Sequence, residues 1–208
     1  MTATHSVDRP RTYGELRRRK DDTRWELIDG EAYAMTGPSW QHQSVVSGLL
    51  VQLVSHFRAR GCRVLPAPLD VRLPRASEPD DEVETAVQPD ISVVCDLGKL
   101  DERGCRGAPD HVVEVLSPST AGRDHLTKRA LYERHGVREY WIVHPIDRMV
   151  TVHRRTSEGG FGPAELFEAR GMRRVAAVPS IEGLEGLEGL EGLVVDWDQA
   201  FADVPPIE

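Results

Sequence analysis

Two apolar segments in the middle of the chain, each carrying one acidic residue, constrain the fold more than any other feature. The first reads QPDISVVCD and contains Asp90, and the second reads DHVVEVL and contains Glu114. A short continuous apolar run is typical of a strand that is covered on both faces of a sheet. A carboxylate in such a strand costs free energy unless a cation, a hydrogen-bond donor or a metal compensates for its burial. The two acids are therefore candidates for a functional site.

The spacing of these segments suggests how the two acids meet. Residues 96–109 connect the two predicted strands, which we take as an antiparallel pair. Asp90 and Ser92 share one face of the first strand, and Val112 and Glu114 share one face of the second. If Ser92 lies across from Glu114, then Asp90 is a diagonal neighbour of Glu114, roughly 7–8 Å away at the backbone. Two carboxylates at that separation can bind one hard cation, and ligation by oxygen alone favours Mg²⁺ or Mn²⁺ over zinc.

Lys128 is the third candidate, and the spacing allows two interpretations of it. It follows Glu114 by fourteen residues, on a helix that we predict over residues 121–135 and that Gly136 ends. If the helix packs back on the sheet, the ammonium can stabilise the negative charge of phosphoryl transfer beside a metal. Alternatively, Lys128 is an exposed helix residue paired with Asp124 one turn earlier. The sequence alone leaves both interpretations open.

Three further polar residues are weaker candidates. Glu26 and Glu31 flank a predicted hairpin turn at residues 29–30, where carboxylates are usually solvated. His42 falls in the first turn of a long helix that we predict from residues 38–39 to about residue 60. From its position, a partly exposed polar residue is the simplest interpretation of His42.

The order of predicted elements indicates the fold class. They are a short helix over residues 13–20, the hairpin over residues 25–35, the long helix, an extended stretch over residues 62–73, the two acid-bearing strands, the helix that carries Lys128, and two further strands over residues 139–155. This pattern is typical of an α/β or α+β fold, a mixed β-sheet flanked by helices. We predict a flexible tail over residues 1–10 and a single domain over residues 11–208. Within it, the EGL repeat of residues 182–193 reads as a low-complexity loop without a catalytic role.

Charge and cysteine content limit the class of function. The formal net charge is −8, which argues against a protein that coats nucleic acid with a broad basic surface but is compatible with an enzyme that contacts a few phosphates. The three cysteines show no CxxC spacing, so we expect reduced thiols in a cytoplasmic protein, without a disulfide or a zinc site. No apolar run approaches the roughly 20 residues of a membrane helix, and the N-terminus lacks the apolar core of a signal peptide.

The motifs, taken together, resemble a known family. The chain contains, in order, RWELIDGEAYAM, PAPLDVRL, QPDISVVCD, GAPDHVVEVLSPST, a D-x-x-x-K spacing and YERHGVREYWIVHP. This series is similar to the Uma (number two) family of restriction-endonuclease-like proteins, within the PD-(D/E)XK nuclease superfamily. The resemblance covers roughly residues 12–154. It implies a restriction-endonuclease-like fold, a mixed sheet flanked by helices.

The resemblance also implies roles for individual residues. Asp90 takes the place of the Pro-Asp aspartate, and Glu114 takes the place of the (D/E)XK acid, so these two would bind the metal. The superfamily lysine would fall at Leu116, but in this family the lysine is displaced onto the next helix, where Lys128 matches it. The resemblance thus gives Asp90, Glu114 and Lys128 as catalytic residues. Glu26 and His42 match family positions that would complete the metal or water shell.

The function implied is Mg²⁺- or Mn²⁺-dependent endonucleolytic hydrolysis of DNA. Two other functions stay open: a binding or regulatory module of the nuclease fold with little or no catalysis, and hydrolysis of another phosphate compound at the same site. The sequence does not define the oligomeric state, although a homodimer would suit a nuclease that cuts both strands of a two-fold substrate.

Overall fold

Two six-stranded sheets with helices packed against them form the framework of the computed structural model, which describes residues 9–117, 122–174 and 193–205. The α-helices of this part of the chain are α1 (Tyr13–Arg18), α2 (Trp40–Arg58), α3 (Arg129–His135) and α4 (Trp197–Ala200). Its strands are β1 (Trp25–Ile28), β2 (Glu31–Ala34), β3 (Arg63–Pro66), β4 (Val71–Arg72), β5 (Ala86–Val87), β6 (Ile91–Val94), β7 (Leu100–Asp101), β8 (Gly104–Arg106), β9 (His111–Val115), β10 (Glu139–His144), β11 (Met149–Arg154), β12 (Glu165–Glu168), β13 (Met172–Arg174) and β14 (Val194–Asp196).

The larger core lies around the mixed sheet with strand order β12-β11-β10-β9-β6-β3. β9 runs antiparallel to β6, as we predicted for the two acid-bearing strands. On its other edge it runs parallel to β10. All five residues of β9 are buried, which agrees with a strand covered on both faces. Because a parallel pair needs a crossover, the chain leaves β9, forms α3 and returns to β10. The predicted fold class, a mixed sheet flanked by helices, is confirmed.

The two faces of this sheet receive different helices. The apolar side of α2, with Val45, Leu49, Leu53 and Phe57, packs in one core cluster with the β9 residue Val113. Residues on the other face of the sheet form a second cluster with Leu131 and Tyr132 of α3, together with Val112 and Tyr140. The polar ends of β6 and β9 therefore lie in a sheet that α2 covers on one face and α3 covers on the other.

The second sheet, with strand order β2-β1-β5-β4-β8-β7, brings the hairpin to the site. Asp29 and Gly30 form the hairpin turn with φ angles of 53° and 75°, as the Asp-Gly pair predicts. β1 also pairs with β5 through Leu27 and Ala86. This pairing holds β1 beside the segment that leads into β6.

Helix α2 begins and ends close to the predicted positions. The Ser39 side chain accepts a hydrogen bond from the His42 backbone N–H and caps the helix, as its position predicts. Gly48, in the middle of α2, lies against α4. A Cβ atom built at Gly48 would fall 2.6 Å from the Ala200 carbonyl oxygen, so only glycine allows this approach of the two helices.

The helix that carries Lys128 has two parts. Its first part, Arg123–Lys128, is π-helical, and α3 follows directly. Gly136, in the left-handed region with φ 88°, ends the helix as we predicted. The predicted start at residue 121 lies outside the described residues. A π-helical turn rotates later side chains relative to a regular α-helix, which the sequence pattern does not reveal.

The expectation of three reduced thiols is wrong. Cys62 and Cys95 form a disulfide, and Cys105 is free and buried. The sheet register explains the pairing, because Arg63 in β3 lies opposite Val94 in β6, which places the adjoining cysteines side by side. A separation of 33 residues conceals this proximity in the sequence.

Two predicted segments fall largely outside the part of the chain that the structure describes. They are the tail, of which residues 1–8 are not described, and the EGL repeat, of which residues 182–192 are not described. No helix in the described ranges is both long and apolar enough to span a membrane.

Candidate active site

A cavity of about 210 Å³ lies at the carboxyl end of β9. The hairpin, the first turns of α2, the residues before β6 and the π-helical segment enclose it. Its lining includes all the residues proposed above as catalytic or as completing the shell, together with Arg24 and Gln88: Arg24, Glu26, His42, Gln88, Asp90, Glu114 and Lys128. The fold therefore brings together residues that are up to 104 positions apart in the sequence, counting from 24 to 128.

Lys128 joins two buried carboxylates at the base of the cavity. Its Nζ lies 2.8 Å from Glu114 Oε1 and 2.9 Å from Glu26 Oε1. The three residues are only 3%, 4% and 1% exposed, respectively. The interpretation of Lys128 as an exposed helix residue is therefore wrong, and so is the interpretation of Glu26 as a solvated hairpin carboxylate. Glu31, on β2, is exposed and is not part of this lining.

The pairing of β6 with β9 places Asp90 nearer to Glu114 than the register that we considered from the sequence, in which Ser92 lies opposite Glu114. Ser92 lies opposite Val112 and not opposite Glu114. Continuing the register by one pair beyond Ile91 and Val113 sets Asp90 directly across from Glu114, where a diagonal arrangement had been considered. Directly opposed residues are closer than diagonal ones. Both carboxylates line the same cavity, as the metal hypothesis requires.

Asp90 is held by a backbone group of β9 and by a side chain of α2. Its Oδ2 accepts a hydrogen bond from the Val115 backbone N–H at 2.8 Å and lies 3.1 Å from His42 Nε2. Burial alone would lower the pKa of His42, but the hydrogen bond and the negative charge of Asp90 outweigh this and raise the pKa. His42 is buried, so its interpretation as a partly exposed residue is wrong.

Tyr132 is a member of the site that sequence reasoning missed. Its hydroxyl donates to Glu114 Oε1 at 2.8 Å, the same oxygen that Lys128 contacts. Burial and the charge of Glu114 raise the pKa of Tyr132 well above its ordinary value, so the hydroxyl keeps its proton and remains a donor. The signal was available, because Tyr132 follows Lys128 by four residues and so lies on the same side of the helix.

Arg24 and Gln88 were missed as well. Both line the cavity, and the Arg24 guanidinium donates to the Gln88 side-chain oxygen. The Gln88 backbone N–H donates to Glu26 Oε1 at 3.0 Å. Arg24 precedes Glu26 by two residues, so the two-residue period of a strand gives them a common face. That relation could have indicated Arg24 once Glu26 was accepted as part of the site.

The side chains at this site suit a small hard cation that also binds water and substrate. They suit a metal ion bound by protein ligands alone less well. Among residues 9–117, 122–174 and 193–205, no group of three or more His, Cys, Asp or Glu side chains is placed to hold a metal ion. Asp90 and Glu114 supply two carboxylates from adjacent strands. Mg²⁺ is commonly bound by one or two carboxylates and completes its shell with water and substrate phosphates. The residues therefore fit Mg²⁺ or Mn²⁺ and not a structural zinc ion.

A mixed sheet between helices, with two acids on neighbouring strands and a lysine beside them, defines a protein with the restriction-endonuclease-like nuclease fold. The chain belongs to the Uma2 family: the family model, described as "Putative restriction endonuclease", matches residues 10–195.

Two known proteins are similar to this chain. The fold matches the crystal structure of "a putative nuclease belonging to DUF820" from Anabaena variabilis ATCC 29413, with a TM-score of 0.65 and 21% sequence identity, over 93% of this chain and 98% of the other. An uncharacterized protein of Synechocystis sp. (strain ATCC 27184 / PCC 6803 / Kazusa) is 27% identical over 135 residues, which are 64% of this chain and 67% of the relative. The first supports the fold, and the second carries no assigned activity.

Proposed function

We propose that this protein is an endonuclease that hydrolyses DNA phosphodiester bonds with Mg²⁺ or Mn²⁺. The observation that carries the proposal is the convergence of Asp90, Glu114 and Lys128 on one cavity. A buried lysine that contacts two carboxylates could have a purely structural role. The cavity beside it and the adjacent Asp90 give the cluster access to a substrate.

Each residue has a distinct role in this proposal. Asp90 and Glu114 would hold the cation, which supplies a polarised phosphate oxygen and a bound water of lowered pKa. Lys128 places positive charge where negative charge grows on the phosphate during the reaction. Tyr132 and Lys128 both donate to Glu114 and fix the direction of its carboxylate. His42 does the same for Asp90.

The balance of charge also supports a cation at this place. Glu26 and Glu114 share the ammonium of Lys128. Asp90 adds a third carboxylate, with His42 as its partner. Carboxylates brought together in a largely buried site are costly without positive charge beside them. A divalent ion between Asp90 and Glu114 would add positive charge at this place.

The test is cleavage of supercoiled plasmid, single-stranded DNA, RNA and nucleotides in parallel, with MgCl₂, MnCl₂ or EDTA. We expect cleavage of DNA with either metal and none with EDTA. Asp90→Asn and Glu114→Gln should each lower the rate by about 100-fold or more, a loss typical of removing one main stabilising group. Glu31→Gln is the matched control, since it removes the same charge from an exposed position on β2. Equal rates in Glu114→Gln and Glu31→Gln would overturn the proposal.

A second candidate is a catalytically inactive module of the same fold. The contacts of Lys128 favour it, because an ammonium bonded to both Glu26 and Glu114 stabilises these buried acids without any substrate. Calorimetric titration with Mn²⁺ separates the two candidates. Binding that is lost in Glu114→Gln supports the enzyme. Tight DNA binding without metal, and no cleavage of any substrate, supports the module.

A further inference from the structure

We propose that Arg24, held by Gln88, is a binding site for a backbone phosphate of the nucleic acid strand, next to the bond that is cut. The inference rests on the proposed function and adds to it the residue that fixes the position of the strand. It concerns a side chain outside the cluster of Asp90, Glu114 and Lys128.

Arg24 is a cavity-lining cation without an acidic partner. Its guanidinium donates through Nε and Nη2 to Gln88 Oε1, at 3.2 and 2.5 Å. No carboxylate in the described part of the chain forms an ion pair with it. Two other arginines differ: Arg72, in β4, is paired with Asp80 and Asp101, and Arg75, after β4, is paired with Asp29 and Glu84. The charge of Arg24 is therefore available to a ligand.

The orientation of Gln88 is fixed by a chain of partly buried contacts. Its amide nitrogen donates to Asp70 Oδ1 at 2.8 Å, and Asp70 Oδ2 accepts from the buried Tyr13 hydroxyl at 2.9 Å. Since an ionised carboxylate only accepts hydrogen bonds, the NH₂ group of Gln88 must face Asp70. The carbonyl oxygen of Gln88 then faces Arg24. The guanidinium is thus pre-positioned before a ligand arrives.

The remaining donors of Arg24 suit a phosphate. Gln88 accepts from Nε and from one N–H of Nη2. The N–H groups of Nη1 and the second N–H of Nη2 remain, along another edge of the planar guanidinium group. Two parallel N–H groups match two phosphate oxygens, and arginine is the usual residue for such bidentate recognition. Phosphate contacts of this kind set the register of a strand and do not read its bases.

Gln88 also couples this subsite to the acidic cluster. Its backbone N–H donates to Glu26 Oε1, and Glu26 contacts Lys128. Gln88 lies two residues before Asp90. A phosphate on Arg24 is therefore held at a fixed place relative to both carboxylates proposed as metal ligands.

The test is binding of a fluorescein-labelled single-stranded oligonucleotide and of its duplex, measured by anisotropy over a series of salt concentrations. The protein is the full chain with Glu114→Gln, so that the probe is not consumed. Adding Arg24→Gln should weaken binding about tenfold. The slope of the logarithm of the association constant against log [salt] should also become less steep by about 0.7–0.9, the value for one lost phosphate contact. Arg24→Lys should give an intermediate loss of affinity, because the positive charge stays but the two parallel N–H groups of the guanidinium are lost.

The control is Arg58→Gln. Arg58 is exposed at the other end of α2, about 22 Å along the helix axis from the cavity-lining Gln43. The same change of net charge there should alter affinity less than twofold. Gln88→Leu is a second variant that changes no charge, and we expect it to weaken binding about threefold by releasing the guanidinium. Circular dichroism melting checks that every variant is folded.

The outcomes separate this inference from the proposed function. Equal affinity and equal salt slope for Arg24→Gln and Arg58→Gln would overturn the inference, even if the wild-type protein cuts DNA. Weaker binding in Arg24→Gln but not in Arg58→Gln supports it, even if the wild-type protein cuts nothing. Absence of any oligonucleotide binding would also overturn it.

Discussion

The ammonium of Lys128 lies 2.8 Å from the carboxylate of Glu114, although the lysine belongs to the crossover helix and the glutamate to a central strand of the sheet. Both side chains are almost completely buried. Glu26, from the hairpin, completes the cluster. The ammonium of Lys128 therefore joins three separate elements of the chain.

Replacing Lys128 should destabilise the fold. Lys128→Met leaves Glu26 and Glu114 buried without their shared cation, and breaking a buried ion pair commonly costs about 3–5 kcal/mol. We expect a loss of about 3 kcal/mol in the free energy of unfolding, measured by urea denaturation at pH 7. Lys20→Met, at an exposed position, is the control, and it should stay within about 0.5 kcal/mol of wild type.

A double variant tests the cause of that loss. Adding Glu26→Gln to Lys128→Met removes one of the two buried carboxylates that lost the ammonium, so part of the stability should return. If Lys128→Met is as stable as Lys20→Met, the cluster does not need its cation and the electrostatic account is wrong.

Removing the Tyr132 hydroxyl should weaken the hold on Glu114. Hydrogen bonds to charged groups contribute about 1.5–3 kcal/mol, and Tyr132→Phe keeps the ring in place. We expect a loss of about 2 kcal/mol by urea denaturation. In a double-mutant cycle, the same change made in Glu114→Gln should cost less than half as much. An unchanged cost there would show that the hydroxyl acts through some other neighbour.

Glu139 should make the protein less stable as the pH rises. Burial raises its pKa to about 7, against the opposing effects of Arg154 and Trp141. The native protein therefore keeps a proton on Glu139 over a range in which the unfolded chain, with an ordinary glutamate pKa near 4.3, has lost it. The contribution of Glu139 to the free energy of unfolding falls as the pH rises through this window.

Glu139→Gln should remove this dependence. The difference in free energy of unfolding between this variant and wild type should grow by up to about 3 kcal/mol from pH 4.5 to pH 7, since each pH unit corresponds to about 1.4 kcal/mol. The measurement is urea denaturation at intervals of half a pH unit. Glu168→Gln, which removes a half-exposed carboxylate from β12, is measured alongside as the comparison for the loss of one acidic group. A flat difference for Glu139→Gln would mean that its native pKa is ordinary.

The contact of α2 with α4 should not tolerate a side chain at Gly48. In Gly48→Ala, the new methyl group would meet the Ala200 backbone, and the helices must separate. Overpacking of this kind costs about 1–3 kcal/mol. Gly37→Ala is the comparison, because a Cβ atom there meets nothing within 4 Å. Thermal unfolding of both variants tests the prediction, and equal midpoints would contradict it.

Much of the fold could be predicted because its signals are local. The Ser39 cap, the Asp29–Gly30 turn and the apolar side of α2 each follow from a few neighbouring residues. The antiparallel pairing of β6 with β9, which we assumed for two strands joined by residues 96–109, is confirmed. The register could not be predicted, because shifting the partner residue leaves the apolar pattern of each strand almost unchanged.

The site was predictable where residue chemistry and motif order coincide, as at Asp90 and Glu114. Residues that join the site through long-range pairing were not. Arg24 and Gln88 meet only because β1 pairs with β5, 64 positions apart in their contact. The disulfide of Cys62 and Cys95 depends in the same way on the pairing of β3 with β6.

Since Lys128 lies on the crossover between β9 and β10, joining it to Glu26 and Glu114 and docking the helix are one event. Detaching that helical segment would remove the ammonium from both Glu26 and Glu114. An activity located here would thus be limited to molecules that have finished folding, a safeguard that a lysine on the strand itself would not give.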